Sequence, residues 1–171
     1  MTPDEYCQQK AAGSGSSFYY AFLFLPPDRR RAITALYAFC REVDDVVDEA
    51  ADPQVAGAKL AWWRQEVGRT FAGDPQHPVT RALQPALAAF GISAQRLNEV
   101  IDGMQMDLTQ TRYLDFAALE RYCYHVAGVV GLLAAGPPCA GTTGRCCWRE
   151  RCEHRGQTPI EENRGLTPIS R

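Results

Sequence analysis

Over the first 135 positions the apolar residues recur at intervals of three and four and nowhere alternate over a useful length. That period belongs to helices buried along one face and argues against a sheet. Pro26-Pro27-Asp28 ends one segment and opens another, with Asp28 positioned to cap it. Ile33, Leu36, Tyr37, Cys40, Val43 and Val47 keep helical spacing to about Ala50, where Ala51-Asp52-Pro53 breaks the chain. Ala58–Phe71, with Trp62, Trp63 and Val67, is the next helix and stops at Gly73-Asp74-Pro75. Val79–Phe90 follows, ended by Gly91; Ser93 then caps a helix carrying Leu97, Val100, Ile101, Met104 and Leu108. Leu114–Ala135 reads as one further helix. The expected fold is all-α, a helical bundle.

This texture ends near Ala135. Residues 136–171 contain four of the seven cysteines and six arginines, and their sparse apolar residues follow no period. Such a segment buries little surface. Cys139, Cys146, Cys147, Cys152 and His154 lack the paired C-x₂-C spacing of a zinc site. Disulfides belong to a secreted context that nothing in the sequence supports. The expected division is therefore a domain over 1–135 and a non-native tail over 136–171, disordered or out of frame.

With Lys+Arg 18 against Asp+Glu 20, the chain carries no basic surplus, which argues against nucleic acid as a partner. At 46% hydrophobic residues it is not intrinsically disordered as a whole. No apolar run approaches the roughly 20 residues of a spanning helix, and Met1–Lys10 has no apolar signal core. A soluble, cytoplasmic protein is the expectation.

Arg41-Glu42-Val43-Asp44-Asp45-Val46-Val47-Asp48-Glu49 packs five acids into nine residues. Asp44 and Asp48 project from one face a turn apart, and Tyr37 and Arg41 extend the same line. At about 100° per residue this line falls on the margin of the apolar stripe, where a cavity can open. Glu42 points away toward solvent. Two aspartates at i and i+4 repel by roughly 0.2–0.5 kcal/mol unless a cation lies between them. Hard oxygen ligands of this kind suit Mg²⁺, which completes its shell with water and substrate phosphate, while Arg41 could grip the same phosphate with two bonds. The competing reading is an acidic, solvent-facing helix whose charges pair with Arg41.

Ser14-Gly15-Ser16-Ser17-Phe18-Tyr19-Tyr20-Ala21-Phe22 joins hydroxyls, which can hold phosphate at a helix start, to aromatics that can face a carbocation. A capped helix with core aromatics explains it equally well. Gly103-Met104-Gln105-Met106-Asp107 sets one more carboxylate near a helix end and by itself says little. In Tyr122-Cys123-Tyr124-His125-Val126-Ala127-Gly128-Val129-Val130-Gly131, two glycines inside an apolar helix each cost on the order of 1 kcal/mol against Ala. A kink or a close approach should compensate. His125 reads as structural, and Cys40 and Cys123 as reduced, partly buried thiols.

Taken together, SGSSFYYAF, LPPDRRRAITALYAFCREVDDVVD, GMQMDL and YCYHVAGVVG, in this order from about Tyr6 to Ala135, resemble the squalene/phytoene synthase family. Within it the resemblance is greatest to the bacterial presqualene diphosphate synthase branch of hopanoid biosynthesis. The resemblance implies an isoprenoid-synthase-type bundle with a cavity between two aspartate-rich helices. It implies head-to-head condensation of two prenyl diphosphates: farnesyl diphosphate to presqualene diphosphate or squalene, or geranylgeranyl diphosphate to phytoene. Mg²⁺ held by the aspartates assists departure of pyrophosphate, and the second chain's double bond attacks the allylic cation. Carried over by position, Asp44 and Asp48 would hold Mg²⁺; Arg41 and Ser17 would contact diphosphate. Tyr37 and Phe18 would line the site near the cation, and Tyr122, Val126, Ala127 and Gly131 would lie beside the prenyl chain. An oily product implies peripheral membrane contact.

The departure from the family pattern lies beyond Ala135, where no second D-x-x-x-D occurs; the acids there are Glu150, Glu153, Glu161 and Glu162. The bundle is expected to be truncated, without its second aspartate-rich helix and with turnover impaired or lost. The alternatives are a phytoene synthase using geranylgeranyl diphosphate, another Mg²⁺-dependent helical diphosphate enzyme, or a non-catalytic helical scaffold.

Overall fold

A computed structural model of the chain describes residues 1–110 and 112–135, and every regular element among them is helical. The order is α1 (Pro3–Gly13), α2 (Ser17–Phe22), α3 (Pro27–Asp48), α4 (Pro53–Ala72), α5 (Pro78–Ala89), α6 (Ala94–Thr109) and α7 (Phe116–Cys123), then a π-helical turn (Tyr124–Gly128) and α8 (Val129–Ala135). The tail expected over 136–171, with Cys139 to His154, falls outside the described residues.

Local chemistry sets most of these ends. Thr2 and Glu5 form a reciprocal capping box on α1, with Pro3 in the first turn where its missing N–H costs nothing. Asp52 caps α4 by accepting from the Gln54 N–H at 2.8 Å, and Gly73 ends that helix at φ 94°, which a side chain rarely tolerates. Ser93 caps α6 through the Arg96 N–H. The start of α3 differs from expectation: the helix begins at Pro27, and Asp28 sits inside its first turn, bonded to Arg31 at 2.7 Å. Pro27 supplies the fixed φ that a cap would otherwise have to stabilise.

Helix α3 is the centre of the packing, touching α1, α4, α5 and α6. Its buried face runs through Leu36, Phe39, Val43 and Val46 with Ala32, Ala35 and Ala38, while Ile33, Tyr37, Cys40 and Val47 are only half-buried. The stripe expected from the sequence is thus rotated by about one residue, because the alanine-rich side admits the neighbouring helices more closely than the bulkier side. Phe39 is fully buried and meets Trp63 edge-on at 5.6 Å, with Leu60, Leu83, Leu97 and Ile101 completing the centre. Each such side chain contributes about 1.5–3 kcal/mol by leaving water.

One buried charge is structural. Glu66 on α4 is fully buried, and its carboxylate accepts from the N–H groups of Gln76 (2.7 Å) and His77 (2.8 Å) and from the Thr80 hydroxyl, while Arg69 pairs with it at 2.7 Å. Burial opposes its charge, but these donors outweigh the burial and hold the carboxyl below its ordinary value. A single side chain so ties the end of α4 to the loop that starts α5.

Phe24, Leu114 and Phe116 are 90%, 86% and 78% exposed. No helix among the described residues is long and apolar enough to cross a membrane.

Candidate functional site

The line Tyr37–Arg41–Asp44–Asp48 lies along the margin of the buried face of α3: the first three are half-buried and Asp48 is exposed. Arg41 spans two carboxylates, donating to Asp44 at 2.5 Å and to Asp45 at 3.0 Å. Asp48 has no basic partner among the described residues. Burial and then the charge of Asp48 raise the Asp44 carboxyl above its ordinary value; Arg41 works against this, while Asp45 and Asp107 add to it. Arg41 therefore only partly compensates the line. The remaining negative charge, borne by hard oxygen donors, is chemistry that fits a divalent cation such as Mg²⁺. Among the described residues no three His, Cys, Asp or Glu side chains stand close enough to hold an ion by themselves. Water and diphosphate oxygens would have to complete its shell.

Tyr37 anchors the segment before α2. Its hydroxyl donates to Ser14 Oγ at 3.0 Å, and its ring meets Phe22 at 5.7 Å. Ser14 in turn donates to the Ala11 carbonyl, and Ser16 caps α2. Ser17 and Phe18 are exposed on the first turn of α2, Phe18 by 68%.

The opposite edge of α3 does not behave as expected. Glu42 is not solvated: it accepts from the Tyr6 hydroxyl at 2.7 Å and pairs with Lys10 at 3.2 Å, because α1 packs over that side. Burial and then the bond to Glu42 push the Tyr6 hydroxyl up to about 12. Lys10 also pairs with Asp45 at 2.7 Å. A cleft of about 270 Å³ opens on this side, lined by Lys10, Glu42, Asp45, Glu49, Trp62 and His77. Neither Asp44 nor Asp48 lines this cleft.

Helices α7 and α8 flank a π-helical turn where one continuous helix was expected. The turn takes in Gly128, while Gly131 lies in α8, and neither makes a close helix–helix contact among the described residues. A Cβ at Gly128 would meet only Tyr124 of its own turn, at 3.2 Å, and at Gly131 it would find open space. The close approach is at Gly103 on α6, where a Cβ would stand 3.1 Å from His125 Cβ and 3.2 Å from the His125 backbone carbon. Gly103→Ala should force α6 and the turn apart and cost about 1–3 kcal/mol. Thermal unfolding checks this; an unchanged Tm would show that the contact yields freely.

Tyr122 and Val126 are half-buried, whereas Ala127 and Gly131 are exposed. Tyr122 stacks on Tyr113 at 4.9 Å. Burial and then the neighbouring Asp107 carboxylate push its hydroxyl up to about 12. Of the thiols, Cys40 is half-buried and burial pushes it up to about 12, while Cys123 is exposed rather than partly buried.

The family model for squalene/phytoene synthase matches residues 11–142. The chain belongs to the squalene/phytoene synthase family. It is 39% identical over 130 residues to the 15-cis-phytoene synthase of Synechococcus elongatus, covering 76% of this chain and 42% of that protein. It is 35% identical over 128 residues to the chloroplastic phytoene synthase of Daucus carota, covering 75% of this chain and 32% of that protein. Among solved structures, the squalene synthase HpnC from Alicyclobacillus acidocaldarius superposes with a TM-score of 0.71 at 32% identity, over 78% of this chain and 50% of that one. A dehydrosqualene synthase solved with ligand gives 0.70 at 31%, over 77% and 46%. The isoprenoid-synthase-type helical fold is that of these neighbours. The chain spans half or less of the length of each of these relatives.

Proposed function

We propose that this chain binds a prenyl diphosphate through Mg²⁺ at Asp44 and Asp48, as the first carboxylate bank of a head-to-head prenyl condensation. The observation that carries this reading is the under-compensated Asp44–Asp48 pair on the margin of α3, in a chain of this family. The bound ion would neutralise charge as pyrophosphate departs. Arg41 would exchange its Asp44 contact for diphosphate oxygens, held bidentately. Ser17, at the exposed start of α2, supplies a hydroxyl to the same group. Tyr37 and Phe18 stand near the developing cation. Tyr122, Val126, Ala127 and Gly131 would lie beside the prenyl chain.

The condensation proposed is of two farnesyl diphosphates to presqualene diphosphate. No D-x-x-x-D occurs after Ala135 in this sequence, so one bank is left to balance the charge of two diphosphates. With one bank, this polypeptide binds diphosphate but turns it over little or not at all. An oily product would bring the working protein to a membrane surface without spanning it. A second reading, phytoene synthesis from geranylgeranyl diphosphate, is favoured by the phytoene synthases among the relatives.

Calorimetric titration with farnesyl and geranylgeranyl diphosphate in Mg²⁺ separates these readings. Tighter binding of the farnesyl compound is expected. Tighter binding of the longer chain moves the assignment to phytoene synthesis, and binding of neither leaves a non-catalytic scaffold.

A further inference from the structure

Asp45 stands next to Asp44 in sequence but lines the cleft on the α1 side, and both of its oxygens are taken. Oδ1 accepts from Arg41 Nη2 at 3.0 Å, and Oδ2 pairs with Lys10 Nζ at 2.7 Å. Lys10 reaches it from α1, four residues after Tyr6, and those two side chains also meet on Oε1 of Glu42, at 3.2 Å and 2.7 Å. The packing of α1 on α3, with Cys7 and Ala11 buried, fixes where Lys10 arrives. Side-chain exposure rises along this ladder, from 15% at Glu42 through 20% at Asp45 to 34% at Asp44 and 35% at Arg41. Its inner end is anchored, and its outer end is open to a ligand. An arginine beside a lone carboxylate favours a fork, with two parallel N–H bonds to the two oxygens. That pairing is closed to Arg41, because Lys10 holds the second oxygen of Asp45. Arg41 is left astride two carboxylates, with Nη2 on Asp45 and Nη1 on Asp44.

We propose that Lys10 is a positioning residue for the diphosphate site: by occupying one oxygen of Asp45 it keeps Arg41 out of a two-bond pair there and holds Nη1 of Arg41 at the Asp44 edge, where a diphosphate oxygen can take it up. Lys10 stays charged for this task. Burial works against its ammonium, but the bonds to Asp45 and Glu42 outweigh burial and raise it above its ordinary value. The consequence for ligand binding rests on the diphosphate reading above, whereas the placement of Arg41 does not.

Two measurements on the full chain separate these levels. In the first, nitrogen-15 spectra of the arginine side chains are recorded, and the difference between wild type and Arg41→Lys identifies the Arg41 signals. Lys10→Met should shift them as the guanidinium turns onto Asp45. Glu42→Gln, which loosens the same patch without removing the Lys10–Asp45 contact, should leave them in place. In the second, Mg²⁺-dependent binding of farnesyl diphosphate is titrated for Lys10→Met, Arg41→Lys and the double variant. Lys10→Met should weaken binding about tenfold, the scale seen for groups that orient metal-site ligands, and Lys10→Arg should restore it. In the Arg41→Lys background Lys10→Met should add little, because residues that act through one another are not additive. Unmoved Arg41 signals in Lys10→Met overturn the proposal. So does an equal loss from Lys10→Met with and without Arg41→Lys, which would make Lys10 a general charge or a brace of the fold. Should Lys10→Met not fold, Lys10→Gln is read in the same way. If the wild type itself does not bind, the diphosphate reading fails, and the nitrogen spectra alone decide the role of Lys10.

Discussion

Glu66→Ala should destabilise the protein by about 3–5 kcal/mol, a large part of the 5–15 kcal/mol that holds most domains folded. The substitution strips the acceptor from the Gln76 and His77 N–H groups and the Thr80 hydroxyl, and leaves Arg69 without its 2.7 Å partner. Buried donors without acceptors cost more than the bonds themselves contribute. Glu66→Gln keeps the shape and part of the bonding and should cost less. The pH dependence follows from the same site. Donors hold the folded Glu66 carboxyl below its ordinary value, and burial likewise lowers the His77 imidazole. In both cases the unfolded chain binds the proton more readily, so stability falls as pH falls. The His77 contribution is lost below its ordinary value near 6.5, and the Glu66 contribution below about 4.5. Thermal melts between pH 8 and pH 3 should show the second loss in the wild type and not in Glu66→Gln.

Replacing both Asp44 and Asp48 by Asn should abolish Mg²⁺-dependent binding of prenyl diphosphate while leaving the fold intact. A loss on the order of 100-fold or more is expected, since even groups that only orient metal ligands are worth 10–100-fold. Stability should move the other way. Burial and the neighbouring acids raise the Asp44 carboxyl, so its charge is a burden at neutral pH that Asn removes. A Tm equal to or above the wild type, together with lost binding, marks a functional rather than structural pair. A fall in Tm with unchanged binding would make Asp44 an ordinary partner of Arg41.

What could be read from residues alone follows the range of the interactions involved. The acidic line on α3 was legible because i, i+3 and i+4 neighbours share a face whatever the tertiary fold. Of the expected stripe, Leu36 and Val43 are buried, while Ile33, Tyr37, Cys40 and Val47 are half-buried and Phe39 and Val46 take the centre, since spacing does not weigh alanines against bulkier neighbours. Glu42 was expected in solvent but is covered by α1, whose apolar pattern is weak, through Tyr6 and Lys10. Glu66 gave no signal: two of its donors are backbone N–H groups ten and eleven residues away. A glycine four residues before an acid in an apolar helix marks where a second backbone can approach, but the partner turn at His125–Val126 could not be named without the fold. Close packing was one expectation for Gly128 and Gly131; instead the helix loosens into a π turn that ends at Gly128, and Gly131 faces open space in α8.

The most direct test of the account is calorimetric titration of the full chain with farnesyl diphosphate, once in Mg²⁺ and once with the cation chelated. Saturable binding in Mg²⁺ that disappears with chelator is the predicted result. Equal binding in both conditions, or none in either, would contradict a cation held between Asp44 and Asp48 for a lipid diphosphate.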